Sequence, residues 1–134
     1  MSGYSDTPLA AKLGFREGHR VTYVNPPTGF AELVGELPER VRVGRTLDGP
    51  LDLVVCFVQE RRLLEQRLPA LRRAIEPHGM LWVAWPKKAS GVQTNVTEDV
   101  VRAIALPTGL VDTKVCAIDE TWSGLKLVVR KELR

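Results

Sequence analysis

A short polar loop after an apolar segment combines the residue types that bind small anions. The residues concerned are Trp85, Lys87, Lys88, Ser90 and Gly91. Two flexible ammonium groups supply positive charge, while a hydroxyl and a backbone N–H fix direction, so this pattern predicts a cradle for a phosphate or a carboxylate. The alternative is a solvated loop whose lysines keep this part of the surface soluble. That alternative is favoured for Lys88, whereas anion binding is favoured for Lys87.

A second group of candidate residues lies between two predicted strands near the end of the chain. It contains Asp119, Glu120 and Trp122. The carboxylates could act as acid and base, but adjacent carboxylates on an extended chain usually point apart, and turn-forming hydrogen bonds are the preferred prediction for Asp119. A tryptophan in a turn either packs on the core or forms a pocket wall, and packing is favoured for Trp122.

The third candidate is the loop at residues 25–29, Asn-Pro-Pro-Thr-Gly, which follows the first predicted strand. Asn25, Thr28 and Gly29 are its candidate ligand-binding residues. Ligands of open α/β sheets bind beyond the carboxyl ends of the parallel strands. The loop at residues 25–29, Gln59 and Glu60, and the loop at residues 85–91 are therefore predicted to meet at one rim of the sheet, while Asp119, Glu120 and Trp122 are placed only in the connection between the last two predicted strands.

Neither a metal site nor a catalytic residue is predicted. His19 and His78 lie in separate predicted turns, and neither has a cysteine or an acid at metal-ligand spacing. The sequence contains no Gly-x-Ser-x-Gly, Walker or paired-cysteine motif. Ser90 and Ser123 have no visible base, so a hydrolytic triad has no support.

Composition and charge favour an ordinary globular protein. The formal net charge of +3 is mild and the basic residues do not cluster on one predicted element, so no nucleic-acid partner is expected. Apolar stretches stay well short of the ~20 residues that span a membrane, and the N-terminus lacks the pattern of an export signal. Cys56 and Cys116 fall in predicted strands and are expected to be buried free thiols. We therefore expect a cytoplasmic protein.

The candidate residues must be positioned by a strand–helix–strand unit at residues 51–88. Residues 51–58 and 80–85 are nearly continuous apolar runs, which predict strands buried on both faces. Between them, Leu64, Leu68, Leu71 and Ile75 form one apolar helical stripe, and Pro69 predicts a kink or the start of a second helix. A connection of this length implies a right-handed crossover between parallel strands.

The remaining elements follow from similar patterns. One helix is predicted with Thr7 as its N-cap, Pro8 at its first helical position and Gly14 at its end, and a second at residues 30–34. Strands are predicted at residues 20–24 and 41–43. Asn95 and Glu98 are spaced as a capping box for a further helix, with Thr97 as a competing cap. Residues 110–118 and 125–129 are strand-like and predict a C-terminal antiparallel hairpin, with residues 119–124 as its connection.

This order of elements resembles the class I methyltransferase fold with one early strand–helix unit missing, over roughly residues 20–130. The stretch at residues 71–83, in which a helix ends in a Pro-x-Gly turn before the next strand, is similar to one in those enzymes. We therefore predict a single α/β domain over residues 1–134: a three-layer, Rossmann-like, mostly parallel sheet with a C-terminal antiparallel hairpin.

Two departures from the methyltransferase pattern argue against its cofactor. Where those enzymes have an acidic, glycine-rich loop, this chain has residues 25–29 with two prolines, which remove N–H donors. Where an acid would bind the ribose hydroxyls, Val43-Gly44-Arg45 supplies a cation. Because GxGxxG is also absent, nicotinamide binding is no better supported. No cofactor is predicted.

Residues 85–91 and 114–126 also resemble the signatures of a family of short bacterial proteins of unknown function. The resemblance carries no activity with it. Two functions are left open: a non-catalytic methyltransferase-like domain that binds a protein partner or a small anionic ligand, and a small group-transfer enzyme acting on an acidic small molecule. A homodimer is predicted through the short strand near Val41, because an unprotected edge strand invites pairing.

Overall fold

The computed structural model describes residues 7–134, and residues 1–6, on which the expectation about an export signal rests, lie outside the described residues. The helices are α1 (Leu9–Leu13), α2 (Phe30–Val34), α3 (Arg61–Ile75) and α4 (Glu98–Ala105). The strands are β1 (Arg20–Val24), β2 (Arg42–Gly44), β3 (Leu53–Phe57), β4 (Met80–Pro86), β5 (Leu110–Ala117) and β6 (Trp122–Val129). None of the helices within residues 7–134 is long and apolar enough to cross a membrane.

The strands form one six-stranded sheet in the order β2-β1-β3-β4-β6-β5. β1 pairs in parallel with β2 and β3, and β3 pairs in parallel with β4, with Val55 opposite Trp82. β6 is antiparallel to both β4 and β5. The predicted Rossmann-like fold with a C-terminal antiparallel hairpin is therefore confirmed.

Helices cover both faces of the sheet, which makes the three predicted layers. Alternate residues of β3 point to opposite faces: Val54 and Cys56 belong to the core beneath α3 and α4, whereas Val55 and Phe57 belong to the core beneath α1 and α2. All five residues of β3 are buried. The continuous apolar run thus reflects burial on two sides, as the sequence indicates.

α3 continues through Pro69 as one helix, so the alternative of a second helix starting there is wrong. Pro69 is exposed, while Leu64, Leu68, Leu71 and Ile75 are all buried against the sheet. Burial of that stripe stabilises the helix on both sides of the proline, which outweighs the loss of one backbone hydrogen bond.

The two candidate caps before α4 have different roles. Thr97 is the N-cap, and its hydroxyl accepts a hydrogen bond from the Val100 N–H (3.2 Å). Asn95 instead caps α3, because its Oδ1 accepts from the Arg61 N–H (2.7 Å). The capping box at Asn95 is therefore wrong and the competing cap at Thr97 is confirmed. Asn95 fastens the loop after β4 to the start of α3.

The C-terminal hairpin is tighter than predicted. β6 begins at Trp122 and pairs with β4 from Pro86 onward, so residues 122–124 belong to the strand and not to the connection. Ser123 and Gly124 suggest a turn in the sequence, but both pair with a strand on each side. Ser123, for example, lies opposite Trp85 on β4 and Ala117 on β5.

Candidate functional site

The carboxyl ends of the four parallel strands meet at one rim, as predicted. The β5–β6 turn joins this rim, because Pro86 at the end of β4 pairs with Trp122 at the start of β6. The loops after β1, β2, β3 and β4 and the turn at residues 118–121 therefore lie at the same end of the sheet.

Lys87 connects the first two candidate groups. Its Nζ donates a hydrogen bond to the Asp119 carbonyl (2.7 Å), and its backbone N–H donates to the Thr121 carbonyl (2.7 Å). The ammonium group is therefore engaged in holding the loop after β4 against the β5–β6 turn. This contact joins residues that are 32 positions apart.

The other polar groups of the loop also have partners within it. The Ser90 hydroxyl donates to the Lys87 carbonyl (2.6 Å) and accepts from the Val92 N–H (3.2 Å). The Gly91 N–H donates to the Lys88 carbonyl (3.3 Å), and Gly91 has a φ of +76°. Lys88 is exposed. The donors expected to cradle an anion are thus largely used to shape the loop itself.

Asp119 forms the turn that links β5 to β6. Its Oδ1 accepts hydrogen bonds from the N–H groups of Thr121 (2.8 Å) and Trp122 (2.7 Å), which is the turn-forming role favoured by the sequence. Glu120 is exposed beside it. Both carboxylate residues line an open cavity of about 380 Å³ that also includes Leu33 of α2.

The two candidate tryptophans lie on opposite faces of the sheet. Trp122 packs edge-on against Phe57 beneath α1 and α2, with ring centroids 5.1 Å apart, which confirms the packing prediction. Trp85 is buried in the other core, beneath α3 and α4. They therefore do not line one pocket together.

Asn25 lies where the strand order reverses. The chain leaves β1 for β2 on one side and returns to β3 on the other, and the Asn25 Nδ2 donates to the Phe57 carbonyl at the end of β3 (3.4 Å). Asn25 has a positive φ of 55°. Thr28 and Gly29 are exposed and lead into α2, with Gly29 at a φ of +86°. They shape the loop but do not line the cavity beside Asn25.

That cavity, of about 730 Å³, lies at the carboxyl ends of β1 and β2. It is lined by Tyr23, Val24, Asn25, Pro26, Ala31, Val43, Gly44, Arg45 and Leu47. Arg45 is the one charged residue in this lining. Burial raises the pKa of Tyr23 to about 12, so its phenol stays protonated at neutral pH. Of the candidate residues predicted from sequence, Asn25 alone contributes to this lining.

The sequence prediction missed most of this cavity, although one signal was available. Val43-Gly44-Arg45 ends the second predicted strand, and a cation there lies at the rim by the same rule that located the other candidates. Tyr23 and Leu47 carry no such signal, because their position at the cavity depends on how β2 and α2 pack beside β1.

The buried thiols offer no nucleophile. Cys56 and Cys116 are free and buried, as expected. Burial raises the pKa of Cys56 to about 11, despite the opposing effect of nearby Arg67, and burial also raises the pKa of Cys116. Both thiols are therefore protonated at neutral pH. Within residues 7–134, His, Cys, Asp and Glu form no group that could hold a metal ion.

The fold is a Rossmann-like sheet of the class I methyltransferase type. Three solved structures show the likeness. A SAM-dependent methyltransferase from Aquifex aeolicus aligns with a TM-score of 0.62 and 17% identity, over 89% of this chain and 87% of that one. Magnesium protoporphyrin IX methyltransferase from Synechocystis, solved with bound SAH, aligns with a TM-score of 0.58 and 12% identity, over 90% of this chain and 78% of that one. Fibrillarin from Aeropyrum pernix, solved with bound S-adenosyl-L-methionine, aligns with a TM-score of 0.55 and 14% identity, over 90% of this chain and 73% of that one.

These likenesses confirm the predicted methyltransferase-like fold. At such low identity they show the fold alone. No protein-family model and no curated protein matches the sequence.

Proposed function

We propose that this protein is a non-catalytic, methyltransferase-like domain that binds a small anionic ligand in the cavity at the carboxyl ends of β1 and β2. The ligand would combine an anionic group with a flat or apolar body. Arg45 would pair with the anion, while Tyr23, Val43 and Leu47 would contact the body.

The observation that carries this proposal is the charge of the cavity. Arg45 takes part in none of the ion pairs formed among residues 7–134, and its neighbours in the lining are apolar or uncharged. A guanidinium beside an apolar surface favours an anion such as a planar carboxylate or a tetrahedral phosphate, either of which it can bind through two hydrogen bonds.

The same lining argues against S-adenosylmethionine. A cation at the end of β2 offers no acceptor to ribose hydroxyls, and it repels the positively charged sulfonium. Pro26 and Pro27 lack the N–H groups with which a glycine-rich loop would hold the amino-acid part. The second candidate function remains a group-transfer enzyme acting on an acidic small molecule. It is supported by the position of the cavity in a methyltransferase-like fold.

A thermal-shift series with AMP, ATP, nicotinate, inorganic phosphate and S-adenosylmethionine tests the proposal. We expect AMP or nicotinate to raise Tm by several degrees near saturation, because a ligand at one hundred times its Kd stabilises the folded state by about 2.7 kcal/mol. Arg45→Gln should raise the Kd of that ligand about tenfold or more, since a charge-assisted hydrogen bond contributes about 1.5–3 kcal/mol.

Arg130→Gln is the matched control, because Arg130 is an exposed arginine after β6 that does not line this cavity and, like Arg45, takes part in none of the ion pairs among residues 7–134. It should leave the shift unchanged. Stabilisation by S-adenosylmethionine that survives Arg45→Gln would instead support the group-transfer enzyme. A lack of response to every probe would favour the protein-partner alternative.

A homodimer through β2 is a further prediction. β2 is three residues long, fully exposed and at one edge of the sheet, so its outer backbone groups are open to a second copy. Size-exclusion chromatography with light scattering should show about twice the chain mass of 14.9 kDa. A species of 14.9 kDa alone at all concentrations would contradict it.

We also propose that residues 1–134 form a single domain, that the chain belongs to the short bacterial family that it resembles, and that the protein is cytoplasmic.

A further inference from the structure

Four basic side chains from three separate parts of the chain meet on the α1 face of the C-terminal hairpin. They are Lys12 in α1, Arg16 just after it, Lys114 in β5 and Lys126 in β6. We refer to these four residues as the basic patch. No single element carries more than one of them, which is why the sequence shows no basic cluster.

The geometry brings the four residues together. Lys114 and Lys126 are direct cross-strand partners, which places their Cβ atoms about 5 Å apart. Lys12 Nζ donates to the Ala117 carbonyl (3.2 Å) near the end of β5. The Leu13 carbonyl at the end of α1 accepts a hydrogen bond from the Trp82 Nε1 (2.8 Å). Trp82 on β4 is the cross-strand partner of Lys126 on β6, so this bond places the end of α1 beside Lys126. Arg16 lies three residues after Leu13.

The basic patch contains no neutralising carboxylate. None of the ion pairs among residues 7–134 involves any of its four members. Asp112, the acid of β5, pairs with Arg102 of α4 on the opposite face (2.9 Å). Partial burial, followed by the like charges of Lys114 and Arg16, lowers the pKa of Lys126. The folded protein thus holds Lys126 charged at a cost to its stability.

The patch borders an open edge of the sheet. β5 is the outermost strand on this side and spans eight residues, with Thr113, Lys114 and Val115 exposed. A register shift between Asp112 and Lys114 interrupts its regular pairing, so the regular part of this edge begins at Lys114. Apart from its pairing with β6, no hydrogen bond from residues 7–134 reaches the backbone of residues 111–116. Unpaired N–H and C=O groups along a strand can accept a further strand.

We propose that an acidic peptide segment of a partner protein docks along β5 as an additional strand, with its carboxylates directed at the basic patch. Because side chains alternate between the two faces of a strand, every second residue of that segment would face the α1 side, where the basic patch lies. A segment with acidic residues at every second position would therefore direct all of its carboxylates at the basic patch. Its backbone would satisfy the free edge of β5.

Two other occupants fit less well. A phosphate chain matches the charge but has no N–H donors for the outward carbonyls of β5, whose negative ends repel phosphate oxygens. A second copy of this edge carries the same cations, so pairing the two edges would bring two basic patches towards each other, and facing like charges are destabilising. Edge protection alone does not explain the patch either, because Lys126 lies on the inner strand β6 and faces no edge.

Fluorescence anisotropy with a labelled eight-residue peptide of alternating glutamate and valine tests the proposal. Binding should weaken about five- to tenfold in the double variant Lys114→Gln/Lys126→Gln, because each exposed pair contributes up to about 1 kcal/mol. It should also weaken when salt is raised from about 50 to about 200 mM. Arg73→Gln, an exposed cation on α3 on the other face of the sheet, should bind like the wild type. Without peptide, Lys126→Gln alone should have a raised Tm, because it removes a partly buried charge and the repulsion of that charge by Lys114 and Arg16.

Three comparisons could overturn the proposal. One is equal binding of a peptide with glutamine in place of glutamate, since charge would then be irrelevant. Another is equal binding of a peptide with two central prolines, which cannot pair along an edge. The third is tighter, Lys114-dependent binding of single-stranded RNA or tripolyphosphate, which would assign the patch to phosphate. Far-UV circular dichroism verifies that each variant is folded.

The proposed peptide site is independent of the cavity at Arg45. Arg45 follows β2, which lies at the opposite edge of the sheet from β5, so Arg45→Gln should not change the binding of this peptide.

Discussion

Replacing Trp82 by alanine should remove about 3–5 kcal/mol from the free energy of unfolding, a large part of the stability of a protein of this size. Trp82 is completely buried at the centre of β4, beneath α1. The substitution leaves a cavity between the sheet and α1 that the surrounding backbone cannot close. Urea denaturation followed by far-UV circular dichroism measures the loss without depending on the fluorescence of the removed indole.

The hydrogen bond of Trp82 can be separated from its volume. Its Nε1 donates to the Leu13 carbonyl at the end of α1 (2.8 Å), and α1 has only five residues, too few to be stable alone. Trp82→Phe keeps an aromatic ring but leaves that carbonyl without its partner, so it should cost about 1–3 kcal/mol. A loss below about 1 kcal/mol for Trp82→Ala would show that α1 is not anchored by this residue.

Gly79→Ala should destabilise the protein by about 3 kcal/mol, the upper end of the range for overpacking. A Cβ at this position would lie 2.3 Å from the Leu51 carbonyl oxygen and 2.9 Å from the Ile75 carbonyl oxygen. Neither oxygen can rotate away as a side chain would, because both belong to the backbone. Relief of the clash would require the end of α3 to move off the sheet.

Gly79 lies where the end of α3 contacts the backbone before β3 and β4, so a displacement at this position affects all three elements. Its N–H donates to the Ile75 carbonyl (2.7 Å), and the Leu51 N–H donates to the Ala74 carbonyl (2.7 Å), so the end of α3 is joined to the starts of β3 and β4. Chemical denaturation of Gly79→Ala should therefore show a lower midpoint.

Gly44→Ala is the control for this prediction. The nearest atom to its added Cβ is the Val21 carbonyl oxygen, 4.0 Å away, so the change should stay within about 0.5 kcal/mol. Equal losses for the two variants would contradict the argument from close backbone contact at Gly79.

Much of the fold could be predicted because its signals are local. β1, β3 and β4 are apolar runs bounded by turn residues, and α3 carries one apolar stripe, so each element was recognisable by itself. The length of the connection between β3 and β4 required a parallel pair. Where prediction failed, at Pro69, Asn95 and residues 122–124, a local preference was overridden by a partner elsewhere: a buried stripe, the start of α3, and the neighbouring strand β4.

The rule for parallel strands placed the loops after β1, β3 and β4 at one rim, but it did not place the β5–β6 turn there. The rule for strand ends located the rim, yet it could not show that Lys87 already donates to the Asp119 carbonyl or that Ser90 serves its own loop. It also could not show that Trp85 and Trp122 point to opposite cores. Arg45 was recognised as a departure from the methyltransferase pattern, and the cavity beside it is the basis of the anion binding that we propose for this residue.

The sequence by itself determined the kinds of elements, their order and the rim at which the loops gather, because periodicity and turn chemistry act over a few neighbouring residues. Only the tertiary structure decided which polar groups are free, where a cavity opens and that four cations share one surface. Those properties depend on contacts between residues far apart in the chain, such as Lys12 with Ala117 and Lys114 with Lys126, and no local pattern encodes them.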